Sequence, residues 1–325
     1  MAINVGFVGA GGRAGNHMKV LQGIPDVKIT AICDVVPDTA QRVAGELGAN
    51  AYTDHHEMLD KEDLSVLYVS VPTFAHTDAE VLAAGKGIHL FLEKPMAPTM
   101  DKALEILAAA KAADIVTSVG YQVRYLGYIQ QARQFLSGRT IGMAVVSRWG
   151  GLPPTAWWRV MAQAGGQLVE QTTHQVDLMR YLMGEVVEVH AYYAQRTLGD
   201  VDGLDIPDVY TVNMKFESGA IGSLTSACSL REGGGGSAMT FLLDDARADV
   251  GSGGVKVLPE GAMDPGPVPE DAGDIDEIFI DAVRTGDRSK ILCDLEDGVR
   301  SLDVSLAANR SAASGRSEPT HFASA

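Results

Sequence analysis

A lysine follows a strongly apolar segment, at a position where a charge is unusual. Residues 88–92 read Ile-His-Leu-Phe-Leu, and this run is typical of a buried strand in a parallel sheet. Glu93, Lys94 and Pro95 come next, and the proline cannot continue the strand ladder. Because open α/β sheets bind ligands at the carboxyl ends of their strands, we expect Glu93 and Lys94 at a binding site, with Lys94 a candidate for catalysis. The alternative is a surface lysine in a strand-to-helix turn.

A second group of side chains that could do chemistry lies in the segment 165–184. Its pattern predicts one helix over residues 167–183, with Glu170, His174 and Asp177 on a single face. Three interpretations stay open: a metal site, a structural histidine bonded to a carboxylate, and an acid–base pair in which Glu170 orients His174. A single histidine without cysteine is a poor metal-ligand set, so we expect no metal.

A glycine-rich turn follows the first predicted strand. Ile3 to Val8 forms that strand, and residues 9–15 read Gly-Ala-Gly-Gly-Arg-Ala-Gly before a helix begins. Gly9 permits a tight turn, Gly11 lets the backbone approach a pyrophosphate, and Ala14 allows close packing of helix on strand. The N-terminus of the helix favours the phosphate charge. This order predicts a dinucleotide site, although an ordinary tight turn would give the same pattern.

Asp34 ends the second predicted strand, 19 residues after Gly15. At about this distance an acidic side chain meets the ribose hydroxyls of the adenosine. Two valines follow, and no arginine or serine stands directly beside Asp34 to accept a 2′-phosphate, so we expect NAD rather than NADP. Arg42, one helical turn further, could blur this preference. A helix-capping aspartate is the alternative role.

The predicted cofactor-binding residues follow the ends of successive strands. They are Gly9, Gly11, Gly12, Arg13, Ala14, Asp34, Val71, Pro72, His76, Glu93, Lys94 and Gln122. Val71, Pro72 and His76 come after a buried strand, so the histidine could approach the cofactor. A packing or capping role is the alternative for His76.

Strands and helices alternate regularly over residues 1–120, which predicts a Rossmann-type, doubly wound parallel sheet that binds NAD. Residues 121–325 are instead rich in strands with hairpin turns, and they predict an α+β domain with a mostly antiparallel open sheet. We expect the Gly/Pro-rich run 251–274 to be loop and residues 317–325 to be a frayed tail. Because few helices remain to cover both faces of the second sheet, we expect a partner subunit there, in a homodimer or homotetramer.

The composition is that of a globular protein with an acidic charge balance. The 325 residues exceed the usual size of one core, and 46% are hydrophobic. The 26 basic and 42 acidic side chains give a net charge of −16, which argues against nucleic acid or an anionic membrane and suits a small neutral substrate. Cys33, Cys228 and Cys293 are odd in number, widely separated and in no metal-ligand or CxxC spacing, so we expect reduced thiols in a cytoplasmic protein. No apolar run approaches the roughly 20 residues of a membrane span, and we expect no leader peptide.

Taken together, these motifs resemble those of the glucose–fructose oxidoreductase, inositol dehydrogenase and MocA family over nearly the full length of the chain. The resemblance implies that Lys94 lies between the nicotinamide and the substrate hydroxyl, and that a cis bond precedes Pro95. It also implies that His174 exchanges a proton with the substrate oxygen. The family usually has an aspartate where this chain has Glu170, which keeps the charge and moves it by one methylene. Members oxidise or reduce a secondary alcohol of a sugar, inositol or related polyol, so the resemblance implies this substrate class with NAD.

Further residues match regions that shape the family's substrate pocket. The implied substrate-binding set is Lys94, Arg124, Tyr125, Trp157, Trp158, Arg159, Glu170 and His174. Aromatic rings and guanidinium groups suit sugar faces and hydroxyls, and packing alone is the alternative for the tryptophan pair. Two other functions stay open. Some relatives use bound NAD transiently to cleave a glycosidic bond or to epimerise a centre, and a silent relative would bind NAD as a regulator, which the intact Lys94 and His174 disfavour.

Overall fold

The protein consists of two compact units. The computed structural model describes residues 2–323. The first unit comprises Met1–Tyr121 and Gly273–Val299, and the second comprises Gln122–Ala272 and Arg300–Ala325. The first unit therefore ends next to the boundary expected near residue 120, but it also includes residues 273–299, which the sequence places in the second domain. Among the described residues, no helix is long and apolar enough to cross a membrane.

The first unit is built on a six-stranded parallel sheet. Its strands are β1 (Ile3–Val8), β2 (Val27–Cys33), β3 (Asn50–Tyr52), β4 (Val66–Val69), β5 (His89–Leu92) and β6 (Thr117–Val119). Their order across the sheet is β3-β2-β1-β4-β5-β6, so the winding reverses between β1 and β4. The predicted doubly wound fold is confirmed, and ligands of such sheets bind at the carboxyl ends of the strands near this reversal.

The helices of the first unit are numbered along the chain, and the first five connect these strands. They are α1 (Gly12–Leu21), α2 (Pro37–Leu47), α3 (His55–Lys61), α4 (Ala79–Gly85), α5 (Met100–Ala112) and, from the later segment, α10 (Ile275–Thr285). Three of them begin at a capping side chain. Asp54, Thr99 and Asp274 each accept a hydrogen bond from a backbone N–H in the first turn of α3, α5 and α10.

Stacked aromatic rings explain why α10 belongs to the first unit. The ring centroids of Phe7 and Tyr68 lie 4.9 Å apart, and those of Tyr68 and Phe91 lie 4.6 Å apart. Phe279 of α10 packs edge to face on Phe91, with the two ring centroids 5.5 Å apart. All four side chains are buried, so α10 completes the hydrophobic core on one face of the sheet.

The second unit is built on an eight-stranded sheet. Its strands are β7 (Ile141–Trp149), β8 (Val186–Ala194), β9 (Val209–Phe216), β10 (Ile221–Ala227), β11 (Gly236–Leu243), β12 (Arg247–Gly251), β13 (Gly254–Leu258) and β14 (Glu318–Pro319). Their order is β13-β12-β11-β7-β10-β9-β8-β14. Of the described strand pairs, β7 and β10 run parallel and the others antiparallel, which confirms the mostly antiparallel sheet.

Helices cover one face of this sheet. The helices of the second unit are α6 (Gly127–Leu136), α7 (Met161–Ala164), α8 (Gln167–Glu170), α9 (Thr173–Met183) and α11 (Leu295–Ser314), the last of which begins in the first unit. Side chains alternate along the strands, and β9 buries every second residue from Tyr210 to Phe216. These residues share one hydrophobic core with buried residues of α6, α9 and α11.

The predicted helix over residues 167–183 is wrong as a single element. It divides into α8 and α9 because the Thr172 N–H reaches back to the Gln167 carbonyl, five residues away, and the Thr172 hydroxyl lies 2.6 Å from the Ser226 hydroxyl on β10. Glu170 and His174 therefore lie on different helices.

Two segments expected to lack structure each contain a short strand. In the run 251–274, Gly254–Leu258 form β13, which pairs with β12 in a hairpin, and Gly254 at its start adopts a φ of +102°. Val255 and Val257 then enter the core. In the tail, Glu318 and Pro319 pair with β8.

Candidate active site

The glycine turn after β1 has the geometry that a pyrophosphate requires. Gly9 has a φ of +91°, and an added Cβ would lie 2.2 Å from the Ser70 carbonyl oxygen, so only glycine fits. A Cβ added at Gly11 or Gly12 would meet no atom within 4 Å, which leaves open space beside the backbone. No side chain caps the N-terminus of α1, so its first N–H groups suit an anion. Ala14 is fully buried against the sheet, as a small residue there must be.

Asp34 follows β2 and is tied to the glycine turn. Its Oδ2 accepts a hydrogen bond from the Ala10 N–H and its Oδ1 accepts one from the Val36 N–H, both at 2.9 Å. The N-cap residue of α2 is Val36, so Asp34 is not a helix cap. Each carboxylate oxygen can accept a further hydrogen bond, as the ribose hydroxyls of NAD require. Arg42 is bonded to Glu46 at 3.0 Å.

The turn after β5 holds Lys94 between two buried neighbours. The Lys94–Pro95 peptide bond is cis, as the resemblance implied. Glu93 is 5% exposed, and its Oε2 accepts a hydrogen bond from the Lys94 N–H at 3.1 Å. A Cβ on Gly120 would lie 2.7 Å from Glu93 Oε1, so the carboxylate needs glycine beside it. Lys94 itself is half-buried.

The Glu93 carboxylate belongs to a buried charged cluster. Its Oε1 accepts hydrogen bonds from Arg13 Nε at 2.7 Å and His17 Nε2 at 2.9 Å. His17 Nδ1 lies 2.8 Å from both carboxylate oxygens of Asp276 on α10. Arg13 and Glu93, predicted to bind the cofactor, are thus bonded to each other in the first unit. Glu93 supports the turn and is too buried for the predicted cofactor contact.

The cluster strongly shifts the pKa values of His17 and Glu93. Burial by itself lowers the pKa of His17, but the hydrogen bonds to Asp276 and Glu93 and their negative charges raise it to about 9. Burial raises the pKa of Glu93, but the hydrogen bond from His17 and the nearby positive charges lower it to about 2. His17 therefore stays an imidazolium and Glu93 a carboxylate at neutral pH.

His17 and Asp276 were not predicted from the sequence. One signal for His17 was present, since it falls in the stripe of α1 that also buries Ala14, Met18 and Leu21. A histidine in such a stripe needs buried polar partners. Nothing local identified Asp276 as that partner.

His76 has a packing role and not the predicted cofactor contact. Its side chain is 1% exposed, and its Nδ1 lies 2.6 Å from Oε1 of Glu80, which is fully buried. Its Nε2 donates to the Pro95 carbonyl oxygen at 3.1 Å. Both ring nitrogens are therefore used within the first unit. Val71 lies against the glycine turn, 3.0 Å from where a Gly9 Cβ would be.

In the second unit, Glu170 ends α8 and His174 lies in the first turn of α9. Glu170 is 5% exposed and His174 is half-buried. The segment before them is fixed by Gly165 and Gly166, with φ values of +69° and +87°. Asn309 of α11 anchors this turn because its Nδ2 donates to the Gly165 carbonyl oxygen at 2.9 Å.

Asp177 and Arg124 form a buried ion pair in the second unit. Arg124 Nε donates to Asp177 Oδ2 at 2.8 Å, its NH2 group donates to Oδ1 at 2.5 Å, and Ser301 also donates to Oδ1. Arg124 is 2% exposed and Tyr125 3% exposed. The prediction that these two side chains bind substrate is therefore not supported, because the guanidinium serves Asp177 and the phenol ring is buried.

The remaining predicted residues lie in short helical turns of the second unit. Trp157, Trp158 and Arg159 belong to the 3₁₀ turn Ala156–Arg159, where the two indole rings pack edge to face at 5.7 Å. All three side chains are half-buried. Gln122 begins another 3₁₀ turn and is also half-buried.

Some acidic and histidine side chains of the first unit are close enough to share a cation. Within the described chain these are Asp54, His55 and His56, whose ligand atoms lie within 4.8 Å of one another. His55 Nε2 already lies 2.7 Å from Asp78 Oδ1. We assign this surface group no role in the reaction.

Comparison with known proteins gives family matches for both units. A model described as "Oxidoreductase family, NAD-binding Rossmann fold" matches residues 3–121, and one described as "GFO/IDH/MocA C-terminal domain" matches residues 129–246. Together the two matches cover well over half of the chain.

Individual relatives are distant. The myo-inositol 2-dehydrogenase of Thermotoga maritima is 27% identical over 231 residues, which cover 69% of this chain and 68% of that enzyme. The 2,7-anhydro-N-acetylneuraminate hydratase of Mediterraneibacter gnavus is 24% identical over 225 residues, which cover 66% of this chain and 57% of that protein. The crystal structure of the WlbA dehydrogenase from Bordetella pertussis, in complex with NADH and UDP-GlcNAcA, has the same fold, with a TM-score of 0.83, 23% identity and coverage of 99% and 100% of the two chains.

Proposed function

Because the chain belongs to the GFO/IDH/MocA family of NAD-binding oxidoreductases, we propose that it transfers a hydride between NAD and a secondary alcohol carbon of a sugar, inositol or related polyol. The observation that carries this proposal lies in the first unit. The glycine turn follows β1 and the Glu93-Lys94-Pro95 turn follows β5, so both stand at the carboxyl edge of one parallel sheet. This position of Lys94, at the sheet edge where ligands of such folds bind, supports a role for it at the reacting oxygen.

The cofactor fits the residues present. The open backbone at Gly11 and Gly12 and the uncapped start of α1 would receive the pyrophosphate, and Asp34 would accept hydrogen bonds from the ribose hydroxyls. When bound, NAD accepts the hydride from the alcohol carbon or returns it to the ketone. Asp34 would also repel a 2′-phosphate, which supports a preference for NAD over NADP.

Two side chains have proposed roles at the substrate oxygen. Lys94 donates a hydrogen bond to that oxygen and stabilises the negative charge that develops as its proton leaves. His174, as a neutral imidazole, accepts the hydroxyl proton during oxidation and returns it during reduction. Glu170 orients the imidazole. Trp157 and Trp158 contribute an aromatic surface suited to a sugar face.

Redox with recycled NAD is the second candidate. It is favoured by the similarity to a protein named as a hydratase, an activity without net oxidation. In that case the chain would oxidise its substrate, release or add a group, and reduce the product again, with no NADH left in solution.

One experiment separates the two candidates. Sugars, inositols and glycosides are incubated singly with the purified protein and NAD, and NADH absorbance is recorded together with product analysis by mass spectrometry. A dehydrogenase produces NADH and a ketone in equal amounts. Altered product without NADH selects the recycled mechanism, and no product from any compound refutes the proposed substrate class.

A partner subunit is proposed on the open face of the second sheet. Met143 on β7 pairs with Ile221 on β10 and with Leu242 on β11, and these three side chains are 37 to 50% exposed. Val145 of β7, on the same face, is 45% exposed. An apolar patch of this kind on a sheet face is typical of a subunit interface, so we infer a homodimer or homotetramer.

We also infer a cytoplasmic location, because all three cysteines, which lie in the described part of the chain, are free thiols.

A further inference from the structure

The turn that carries Lys94 is held at three consecutive residues. The Glu93 carboxylate is bonded to α1, the Lys94 N–H donates to Glu93 Oε2, and the Pro95 carbonyl accepts from His76. Glu93 and Pro95 are both buried, whereas Lys94 is half-buried. The backbone on each side of Lys94 is thus tied to a different part of the first unit.

His17 holds the turn from one side. Its two ring nitrogens face carboxylate oxygens of Glu93 and Asp276, which can only accept hydrogen bonds when ionised. Both nitrogens must therefore carry hydrogen. The ring is 2% exposed and cannot turn away without breaking its bonds to two buried carboxylates, so its orientation helps to hold that of Glu93.

His76 holds the turn from the other side. Its Nε2 faces the Pro95 carbonyl oxygen, so this nitrogen carries a hydrogen. The 2.6 Å contact between Nδ1 and Glu80 sets the plane of the ring, whichever partner holds the shared proton. Glu80 belongs to α4, so a rigid helix orients the donor that holds Pro95.

We propose that His17 and His76 are positioning residues for Lys94, each oriented by its own buried carboxylate, Asp276 and Glu80 respectively. The inference rests on the proposed function of Lys94 and extends it to two histidines whose ring nitrogens are bonded within the first unit. A reacting group misplaced by about 1 Å loses on the order of 10²-fold in rate, so anchoring both neighbours of Lys94 protects turnover. This role differs from general stabilisation because it predicts a loss of kcat without a loss of NAD affinity.

The variants are chosen so that the protein still folds. His76→Leu alone would strand the buried Glu80, so the test variant is the double change His76→Leu/Glu80→Leu, which replaces both partners by apolar groups. His76→Gln keeps a donor close to the position of Nε2 and serves as the conservative variant. His89→Leu is the matched control, since His89 begins the strand that ends before Glu93 and its ring Nδ1 accepts a hydrogen bond from the Val116 N–H.

The readouts are kcat and KM on the substrate that the panel identifies, NAD affinity by titration, and the melting temperature. We expect the double variant to lose roughly 10- to 100-fold in kcat while the NAD dissociation constant changes less than tenfold. His76→Gln should recover most of the loss, and His89→Leu should keep the kcat of the unmodified protein. His17→Gln, which keeps a donor to Glu93 and loses the Asp276 contact, should lower kcat less than the double variant.

Two results would overturn the proposal. One is a folded double variant with unchanged kcat, and the other is a parallel loss of kcat and NAD affinity that His76→Gln does not recover. A measurement without substrate separates failure of the positioning proposal from failure of the proposed function. The rate at which acetic anhydride labels Lys94, followed by mass spectrometry with the exposed Lys28 as reference, should change in the double variant and not in His89→Leu. If no polyol is turned over but the acetylation rate of Lys94 changes as expected, the substrate assignment fails and the positioning role of the histidines stands. An unchanged acetylation rate refutes that positioning role.

Discussion

The buried His17 cluster should make the stability of the protein depend on pH between about 6.5 and 9. The pKa of His17 is raised to about 9 in the folded protein, against 6.5 for an ordinary histidine. The imidazolium therefore binds its proton more tightly when the chain is folded. A raised pKa contributes stability that is fully present below pH 6.5 and is lost as the pH rises through about 9. Above that range, Glu93 and Asp276 face a neutral ring that can no longer donate to both.

The size of the effect follows from the two pKa values. Each pH unit between them corresponds to about 1.4 kcal/mol, so the unfolding free energy should fall by roughly 3 kcal/mol across this window. The contribution of Glu93 to the unfolding free energy depends on pH in the opposite sense, and it changes at acidic pH. Its pKa is lowered to about 2, so its contribution is present above pH 4.5 and is lost as the pH falls through about 2. Both shifts describe the same ion pair, so the two contributions are not added.

The assay is urea unfolding at a series of pH values. Circular dichroism is the signal of choice, because Trp149, Trp157 and Trp158 all lie in the second unit and tryptophan fluorescence would miss the first. His17→Gln should flatten the curve between pH 6.5 and 9. His89→Gln is the control and should leave this window unchanged, since burial lowers the pKa of His89 and moves its titration to more acidic pH. Equal slopes for the unmodified protein and His17→Gln would refute the assigned charge of the cluster.

Five further substitutions test the site and the assembly. In cofactor titrations, Asp34→Ala should weaken NAD binding by about 1.5 to 3 kcal/mol and improve NADP binding relative to NAD. An equal loss of affinity for both cofactors would mean that Asp34 only supports the glycine turn through its hydrogen bond from the Ala10 N–H. His174→Ala should lower turnover roughly 10²- to 10⁴-fold, abolish the acidic limb of the pH–rate profile and change NAD affinity little. Lys94→Ala should lower turnover at least as much. Full activity in either variant would show that another residue does the chemistry. Gly120→Ala places a Cβ 2.7 Å from Glu93 Oε1, so it should cost about 1 to 3 kcal/mol of stability in urea unfolding, and an unchanged midpoint would show that the carboxylate can move. Met143→Asp should yield the 34.4 kDa monomer in light scattering while the unmodified protein is larger, and a monomeric unmodified protein would exclude the proposed interface.

The sequence predicts those parts of the fold that depend on neighbouring residues. The strand, glycine turn and helix of residues 3–21 form a local pattern, and the structure reproduces it with Gly9 at a positive φ. The strands from Val186 to Phe216 likewise follow from alternation of apolar and polar residues. The break between α8 and α9 was not predictable in this way, because it depends on a hydroxyl contact from Thr172 to a strand more than 50 residues further along the chain.

Charged residues in the interior follow a different rule. A buried charge requires a partner, but the sequence does not say which residue supplies it. Asp177 and Arg124 illustrate the problem, since each was assigned separately to a chemical site and the structure shows that they neutralise each other. His17 and Asp276, 259 residues apart, form the same kind of pair.

Burial divides the predicted site residues into two groups. Lys94 was identified from its position after a strand and His174 from a helix motif, and both are half-buried, which is compatible with the roles proposed for them. Glu93 and His76 were assigned by the same reasoning, yet their side chains are turned inward and bonded within the first unit. Position at the carboxyl edge of the sheet therefore predicts membership of the site region, whereas burial decides whether a side chain meets the ligand or supports one that does.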